Sequence, residues 1–543
     1  MAVMSTGQAI TESLIAHGVE VIFGIPGAHM YDFNDALARR REQIRFIVTR
    51  HEQGAGYMAY GYAKSTGRVG AYSVVPGPGL LNSAAALCTA YGATAPVLCI
   101  TGNVMSHLIG RGRGQLHELP DQLALLRGLT KWAQRIDHPT EAPRVMAEAF
   151  RQLSSGRVRP VAVEAPWNVF GMRAEVAPLA PLAPDAPPAP DPDSVVAAAK
   201  LIAAAKRPLI TVGAGALHAG EAVLALARLL QAPVTAHRSG RGIVSDESPY
   251  GMRSVAAHEY WKDADLLIGI GTRLELQHFR WRSVPSGVRV VRLDIDPTEM
   301  VRLPADVGIV ADSAAGTAAL IEALEPLVGK RASREQEFNG IKARADAAIE
   351  RVQPQMSYLQ AIRRVLPRSG FFVEEISQAG FTARFGFPVY APRQYVTGGY
   401  QDNLGFGFNT ALGVKVAHPR EAVVSITGDG GFLFGCQELA TAVQHGIALV
   451  TIVFNNESFG NVRRDQLEQY QGRLLGADLR NPDFVRLAQS FGALALRALS
   501  PQDLEGKLES ALEAAVPAVI EVPIERGTEV SPWPFTLPAP QRA

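Results

Sequence analysis

The sequence predicts an α/β protein made of three doubly wound parallel-sheet domains. Two observations support this: short β-branched runs alternate with longer amphipathic stretches, and a Pro/Ala-rich segment and a charged segment divide the chain. Alternating strands and helices form parallel sheets flanked by helices, with right-handed crossovers. Because such sheets bind ligands at the carboxyl ends of their strands, we expect functional residues there.

Chain length and composition breaks predict the domain organisation. At 543 residues, the chain is too long for one core. Alternating Pro and Ala favour an extended linker at 177–193, and a charged stretch at 331–355 indicates a solvated helix plus connector. The predicted segments are a first domain 1–176, a linker 177–193, a second domain 194–330, a connector 331–355, a third domain 356–530 and a tail 531–543.

Ten β-branched runs are predicted as strands. They lie at 19–23, 45–48, 70–75 and 97–101 in the first domain, at 208–212, 265–270 and 288–294 in the second, and at 422–427, 449–454 and 518–522 in the third.

Bulk composition excludes several classes of protein. Hydrophobic residues make up 47% and charged residues 19%, which is typical of a folded chain, and the formal net charge of +1 gives no basis for nucleic-acid or membrane partners. The first ten residues lack a basic run followed by an apolar core, so we expect no secretory signal and a cytoplasmic location. Cys88, Cys99 and Cys436 stand apart from one another, and we expect free thiols.

Two polar residues that follow neighbouring strands predict a metal and phosphate site. Asp429 lies in a GDGG turn after strand 422–427, and Asn456 follows strand 449–454. A helix predicted at 432–445 makes the two strands parallel, so both residues are expected at one sheet edge. Carboxylate, amide and backbone carbonyl oxygens suit Mg²⁺, and the glycines let backbone N–H groups approach an anion.

The GDG at 428–430, followed after a spacer by NN at 455–456, resembles the cofactor motif of a thiamine diphosphate enzyme superfamily. This superfamily contains acetolactate synthase, pyruvate oxidase and benzoylformate decarboxylase, and the chain is most similar to acetolactate synthase large subunits. The resemblance covers nearly the whole chain and implies pyrimidine-binding, central and diphosphate-binding domains, in that order. It implies a thiamine diphosphate site at Gly428, Asp429, Gly430, Gly431, Asn456, Ser458, Phe459 and Gly460, with Mg²⁺ on Asp429, Asn456 and the Ser458 carbonyl.

Glu52 is the strongest catalytic candidate. It stands in RHEQGA at 50–55, at the start of a predicted helix, where an acid is also favoured by the helix dipole alone. The resemblance implies that Glu52 activates the cofactor by proton exchange with its aminopyrimidine. It also implies that Leu404 wedges beneath the bent cofactor, with an ordinary core residue as the alternative. Further cofactor contacts are implied for Pro76, Gly77, Asn82 and Gly399.

Two histidines are further catalytic candidates. His29 lies in GIPGAH, and benzaldehyde lyase carries a similar Gly-Ala-His, so His29 is a candidate proton donor. His117, in QLHELPDQ, stands where relatives keep a glutamine near the reacting centre. A purely structural role is the alternative for each histidine.

The substrate side departs from acetolactate synthases. Arg111 is a candidate clamp for a carboxylate, with a solvated loop as the alternative. Asn461 and Asp465 replace the Met and Trp that shape the acceptor pocket of acetolactate synthases. The tentative substrate residues are Ala28, Gln115, Arg111, Asn461 and Asp465.

The resemblance implies decarboxylation of a 2-oxo acid followed by carboligation to an aldehyde or ketone. The alternatives are a simple 2-oxo acid decarboxylase, an aldehyde lyase similar to benzaldehyde lyase, and a disfavoured non-catalytic homologue. A homodimer or homotetramer is implied, because the cofactor of this superfamily bridges two subunits. FAD at the central GAGA, residues 213–216, is an alternative that is not favoured.

Overall fold

In the computed structural model, which describes residues 2–281 and 283–538, three six-stranded sheets are parallel throughout. The prediction of three parallel-sheet α/β domains is confirmed. Each predicted strand is present, with ends within two residues of those expected. Among the described residues, the prediction missed the other ten strands, which range from the six-residue Val161–Pro166 to the two-residue edge strands Gly251–Met252 and Tyr395–Val396; the last two are too short to show alternation. Residues 539–543 of the predicted tail lie outside the described residues.

The strands form the three sheets and one small antiparallel pair. The first sheet contains β2 (Val21–Gly24), β3 (Arg45–Val48), β4 (Gly70–Val74), β5 (Val97–Asn103), β6 (Trp132–Arg135) and β7 (Val161–Pro166), in the order β3-β2-β4-β5-β7-β6. The second contains β9 (Pro208–Val212), β10 (Val234–Ala236), β11 (Gly251–Met252), β12 (Leu266–Ile270), β13 (Arg289–Asp294) and β14 (Val307–Val310), in the order β11-β10-β9-β12-β13-β14. The third contains β15 (Phe371–Val373), β16 (Tyr395–Val396), β17 (Val423–Gly428), β18 (Val450–Asn455), β19 (Leu494–Arg497) and β20 (Ala518–Pro523), in the order β16-β15-β17-β18-β20-β19. Strands β1 (Ala2–Ser5) and β8 (Arg173–Val176) form the antiparallel pair.

The α-helices flank these sheets. Those of the first domain are α1 (Thr6–Ala16), α2 (Tyr31–Ala38), α3 (Glu52–Thr66), α4 (Pro78–Gly92), α5 (Gln122–Leu129), α6 (Ala142–Ser154) and α7 (Trp167–Gly171). The middle of the chain forms α8 (Pro192–Ala204), α9 (Gly220–Leu230), α10 (Ser254–Trp261), α11 (Thr298–Arg302), α12 (Ser313–Leu324) and α13 (Glu335–Ile349). The last part forms α14 (Gln355–Val365), α15 (Gln378–Gly386), α16 (Gly407–Ala417), α17 (Asp429–Phe432), α18 (Leu439–His445), α19 (Gly460–Gln469), α20 (Phe484–Ser490), α21 (Pro501–Glu513) and α22 (Trp533–Thr536).

The strand order reverses once in each sheet: between β2 and β4, between β9 and β12, and between β15 and β17. Ligands of open α/β sheets bind in the crevice outside such reversal points. In the first and third domains, the candidate residues follow the carboxyl ends of the reversal-point strands or of strands in the same sheet.

The prediction of one continuous helix at 432–445 is wrong. Helix α17 ends at Phe432, a 3₁₀ turn covers Cys436–Glu438, and α18 begins at Leu439. Gly435 lies in the break, where a Cβ atom would lie 2.5 Å from Nδ2 of Asn409. The break turns Glu438 towards the start of α3, to which it hydrogen-bonds.

Helices α3 and α16 join the first and third domains, and they pack so closely that their backbones are in contact. A Cβ atom at Gly61 would lie 2.0 Å from the carbonyl oxygen of Thr410, and one at Gly413 would lie 1.9 Å from that of Met58. Larger side chains at these glycines would force the helices apart.

The three cysteines are free, as predicted, and Cys99 is fully buried. Among the described residues, none of the helices combines the length and the apolar character that crossing a bilayer requires.

Candidate cofactor and active site

The metal-ligand candidates lie together beyond β17 and β18. Asp429 is 3% exposed, and its Oδ2 accepts a hydrogen bond from Asn481 Nδ2 at 2.7 Å. Burial raises the pKa of Asp429, although N–H groups of Gly430 and Ser458 oppose the shift. Asn456 Oδ1 accepts hydrogen bonds from the N–H (3.1 Å) and the hydroxyl (3.0 Å) of Ser458. Within the described residues, Asp429 forms no salt bridge, and a divalent cation would compensate its buried charge.

Glu529, from the loop after β20, orients the Asn456 amide. Its Oε2 accepts a hydrogen bond from Asn456 Nδ2 at 2.6 Å. Burial raises the pKa of Glu529 to about 7, and the nearby charge of Asp429 acts in the same direction. Gly460 lies against the same amide, since a Cβ atom there would lie 3.0 Å from Asn456 Nδ2. Glu529 and Asn481 were missed in the sequence, because neither lies in a motif or near the GDGG turn.

The candidate glycines after β17 are closely packed. A Cβ atom at Gly430 would lie 2.4 Å from the ring of Phe459, and one at Gly431 would lie 2.6 Å from a carboxylate oxygen of Glu375. Gly428 lies beside the start of α15, where its Cβ atom would be 3.3 Å from that of Ser377. Close packing therefore favours glycine at these positions, and the absence of side chains leaves a turn whose backbone N–H groups an anion could approach.

Glu52 is the first residue of α3 and is half-buried. Its Oε2 accepts a hydrogen bond from Asn82 Nδ2 at 3.0 Å. A Cβ atom at Gly79 would lie 3.3 Å from Glu52 Oε1, so the PGPG motif, with buried Pro76, lies against the carboxylate. Asn82 and this loop therefore adjoin Glu52.

Glu438 positions the segment that precedes Glu52. This fully buried carboxylate accepts hydrogen bonds from the N–H groups of Arg50 (3.0 Å) and His51 (2.8 Å), and from the hydroxyl of Thr441 (2.6 Å). Burial raises its pKa. The third domain thus supports the start of α3 in the first domain, which the sequence did not reveal because the contact spans both domains.

His29 and His117 lie together beside the Glu52 loop. Their ring centroids are 5.3 Å apart, and the ring of Trp167 lies 4.6 Å from that of His29. A Cβ atom at Gly77 would lie 2.5 Å from the carbonyl oxygen of His117. The Nδ1 atoms of both histidines are buried without a hydrogen-bond partner in the described structure, and burial lowers the pKa of His29.

Gln122 links the loops that surround the two histidines. Its Oε1 accepts the Gly77 N–H at 2.9 Å, and its Nε2 donates to the Gly102 carbonyl at 2.7 Å and to Glu164 Oε2 at 2.8 Å. A Cβ atom at Gly102 would lie 3.1 Å from that of His29. Gln122 was not identified from the sequence, although it lies in the QLHELPDQ segment.

Leu404 is half-buried in a loop between α3 and the third sheet. The neighbouring Asn403 donates to the Tyr57 hydroxyl, and the N–H of Gly405 donates to Glu375 Oε1. At the start of this loop, Gly399 has a φ of 62° and packs against the first domain. The loop is thus anchored on both sides of Leu404.

The tentative substrate residues are spread over two regions. Ala28 directly precedes His29, and Arg111 and Gln115 lie on an exposed loop. On α19, the amide of Asn461 accepts a hydrogen bond from Trp533, and Asp465 pairs with Arg464. Ala28 therefore lies with the two histidines, whereas the side chains of Asn461 and Asp465 bind neighbouring protein residues.

A cleft of about 620 Å³ opens where the order of the second sheet reverses, and residues of all three domains line it. The GAGA glycines lie at this cleft. A Cβ atom at Gly213 would lie 2.5 Å from the Gly271 carbonyl oxygen, and one at Gly215 would lie 2.9 Å from Gly271 Cα. Packing between the two loops therefore accounts for these glycines without a ligand.

Three family models match the chain. They are described as the N-terminal binding domain, the central domain and the C-terminal binding domain of thiamine pyrophosphate (diphosphate) enzymes, and they cover residues 4–125, 195–322 and 375–522. The probable 2-ketoarginine decarboxylase AruI of Pseudomonas aeruginosa is 33% identical over 94% of this chain and 92% of its own length. The acetolactate synthase large subunit of Haemophilus influenzae is 31% identical over 98% of this chain and 96% of its own length. The chain therefore belongs to the thiamine pyrophosphate-dependent enzyme family.

Proposed function

We propose that this enzyme uses thiamine diphosphate and Mg²⁺ to decarboxylate a 2-oxo acid and to join the remaining acyl unit to an aldehyde or ketone. The observation that carries this proposal is the pairing of two arrangements: a buried, uncompensated Asp429 beside Asn456, and Glu52 held by Asn82. The first fits a metal–diphosphate group and the second fits an aminopyrimidine.

The donor set at the third sheet fits the cofactor. Asp429, Asn456 and the Ser458 carbonyl would hold Mg²⁺, and the loop from Gly428 to Gly431 would bind the diphosphate. When bound, thiamine diphosphate supplies the electron sink for loss of CO₂. The chain itself orients the group and controls protons.

The proton and substrate roles fall to the first domain. Glu52 would exchange a proton with the aminopyrimidine of the bound cofactor, and Asn82 fixes one oxygen of its carboxylate. His29 and His117, whose Nδ1 atoms lack a hydrogen-bond partner among the described residues, are the candidates to exchange a proton with the substrate oxygen. Arg111 would bind the substrate carboxylate from its exposed loop.

We propose a homodimer or homotetramer in which the site forms between the first domain of one subunit and the third domain of another. In the described residues of one chain, no side-chain hydrogen bond joins Glu52 to the Asp429 loop. Large apolar side chains close to both loops are exposed, among them Leu81 (46%), Leu116 (59%) and Phe434 (51%). A second copy covering these residues would complete the site.

A simple decarboxylase is the second candidate, and the similarity to a probable 2-ketoarginine decarboxylase favours it. FAD stays the unfavoured alternative, which an absorbance spectrum of the purified protein would test. Free thiols support a cytoplasmic location for the enzyme.

Product analysis tests the proposed reaction. The protein is reconstituted with thiamine diphosphate and Mg²⁺ and offered a panel of 2-oxo acids, with and without aldehydes. CO₂ release with a hydroxyketone or acetohydroxy acid is expected. Release of a free aldehyde alone would replace the carboligase with the decarboxylase, and no turnover by the cofactor-loaded protein would contradict both.

A further inference from the structure

We infer that Asp402 is a positioning residue that ties the loop carrying Leu404 to the central domain. The carboxylate of Asp402 accepts hydrogen bonds from Arg238 of the central domain at 2.8 and 2.9 Å. It accepts two more from Arg384 on α15, at 2.7 and 3.0 Å. The inference rests on the proposed cofactor role of Leu404.

The two arginines that hold Asp402 are fixed in place by other carboxylates. Arg238 is 5% exposed and also binds Glu275 in the central domain, and Arg384 is 3% exposed and also binds Glu374. Burial alone would raise the pKa of Asp402, but the charges of Arg384 and Arg238 outweigh it and hold the pKa below its usual value. Bidentate pairs of this kind are directional, so the two arginines fix both the position and the orientation of the Asp402 carboxylate.

The backbone of the loop needs such an anchor. Asp402 has a φ of 43°, and Gly399 and Gly405 have φ angles of 62° and 81°. A non-glycine residue in this region persists only where its surroundings impose the conformation. At the other end, Glu375 accepts the N–H of Gly405. Leu404 therefore lies between an anchor on the central domain and an anchor on the third sheet.

Through the contact between Arg238 and Asp402, the central domain supports the loop that carries Leu404. Arg238 follows β10 and lines the central cleft together with Tyr400, which also belongs to the Leu404 loop. The ring of Tyr400 lies under the guanidinium of Arg273, at 5.2 Å. Two cationic side chains of the central domain, those of Arg238 and Arg273, thus contact the loop. The loop residues that they contact, Asp402 and Tyr400, are only two positions apart in the sequence.

Asp402→Asn in the full-length enzyme tests the inference. It keeps the shape of the side chain and removes the charge. Amide hydrogen exchange of residues 398–408, measured without cofactor, should become at least about tenfold faster, because the loop opens more often. With cofactor and substrate, kcat should fall by about tenfold to a hundredfold with little change in KM, since a displacement of about 1 Å has this effect.

Asp346→Asn is the matched control, because Asp346 pairs with Arg253 of the central domain but lies away from the loop. It should leave exchange at 398–408 and kcat unchanged. Arg238→Lys is a milder variant that keeps the positive charge but loses the two parallel hydrogen bonds of the guanidinium group to Asp402. Its effect should be smaller than that of Asp402→Asn, and the double variant should be little worse than Asp402→Asn alone.

Leu404→Ala separates the inference from the proposed function. If Leu404→Ala lowers kcat and Asp402→Asn changes neither exchange nor kcat, the positioning role of Asp402 is overturned while the cofactor role stands. If Leu404→Ala leaves cofactor affinity and kcat unchanged, the role assigned to the loop fails, and the inference fails with it.

Discussion

The imidazole rings of His29 and His117 lie 5.3 Å apart, and both residues adopt left-handed backbone angles, with φ of 71° and 65°. Non-glycine residues rarely adopt this region, and strained residues cluster at functional sites. Gly77 packs against the backbone of His117, and Gly102 packs against His29. The two histidines, whose Nδ1 atoms have no hydrogen-bond partner among the described residues, thus lie beside the loop that contacts Glu52.

Replacing either histidine by Asn should preserve the backbone, because Asn tolerates positive φ. We expect kcat to fall by about a hundredfold or more, the usual contribution of a general acid or base, while thiamine diphosphate affinity stays within about twofold. His138→Asn, at an exposed position of the same domain, is the control. Unchanged kcat in both His29→Asn and His117→Asn would assign these residues a structural role.

Glu52→Gln should abolish most turnover while cofactor binding persists. Gln keeps the hydrogen bond from Asn82 but cannot exchange the proton, so we expect kcat to fall by at least about a hundredfold. Steady-state kinetics and a binding titration of thiamine diphosphate measure the two quantities separately. Glu12→Gln, an exposed carboxylate of the same domain, should behave as wild type. Full activity of Glu52→Gln would refute the assigned role.

Glu529→Ala should weaken Mg²⁺ binding about tenfold, because the Asn456 amide then loses the partner that fixes its orientation. Glu529→Gln keeps an acceptor oxygen and should have a smaller effect. Glu525→Ala, an exposed carboxylate in the same loop, is the control. The measurement is a Mg²⁺ titration of the protein with thiamine diphosphate, followed by intrinsic fluorescence. Equal Mg²⁺ affinity in the Glu529→Ala and Glu525→Ala variants would exclude this role for Glu529.

Glu375 should make the stability of the cofactor-free protein depend on pH. Burial raises its pKa from 4.5 to about 7, although hydrogen bonds from Thr427 and the loop backbone oppose the shift; the adjacent Glu374 adds to it. The protonated form is therefore favoured on folding. The contribution of Glu375 to the free energy of unfolding is fully present below the unfolded pKa of 4.5 and is lost as the pH rises through about 7. The total loss is about 3 kcal/mol.

Glu375→Gln stays uncharged and should lack this dependence. Its unfolding midpoint should rise relative to that of the wild type between pH 5 and pH 8. Thermal unfolding of both proteins at several pH values measures the difference. Parallel curves across this range would show that Glu375 does not titrate as the structure predicts.

Local pattern was sufficient for the architecture and for part of the site. The alternation of β-branched runs and amphipathic stretches was enough to predict three parallel sheets. The hydrophobic period and the length of a segment distinguish strands from helices, and both depend only on residues close together in the sequence. The same reasoning placed Asp429 and Asn456 at one sheet edge, since a single strand–helix–strand unit carries both. It failed for the helix predicted at 432–445, where Gly435 packs against Asn409 of another element.

Only the tertiary structure identified the residues that support the site. Glu438 reaches Arg50 and His51 across two domains, Glu529 reaches Asn456 from a distant loop, and Asp402 pairs with an arginine of the central domain. These contacts join residues that are far apart in the chain and carry no periodicity or motif. Their geometry is decided by how sheets and domains pack, because a buried carboxylate is stable only where the folded chain brings donors to it.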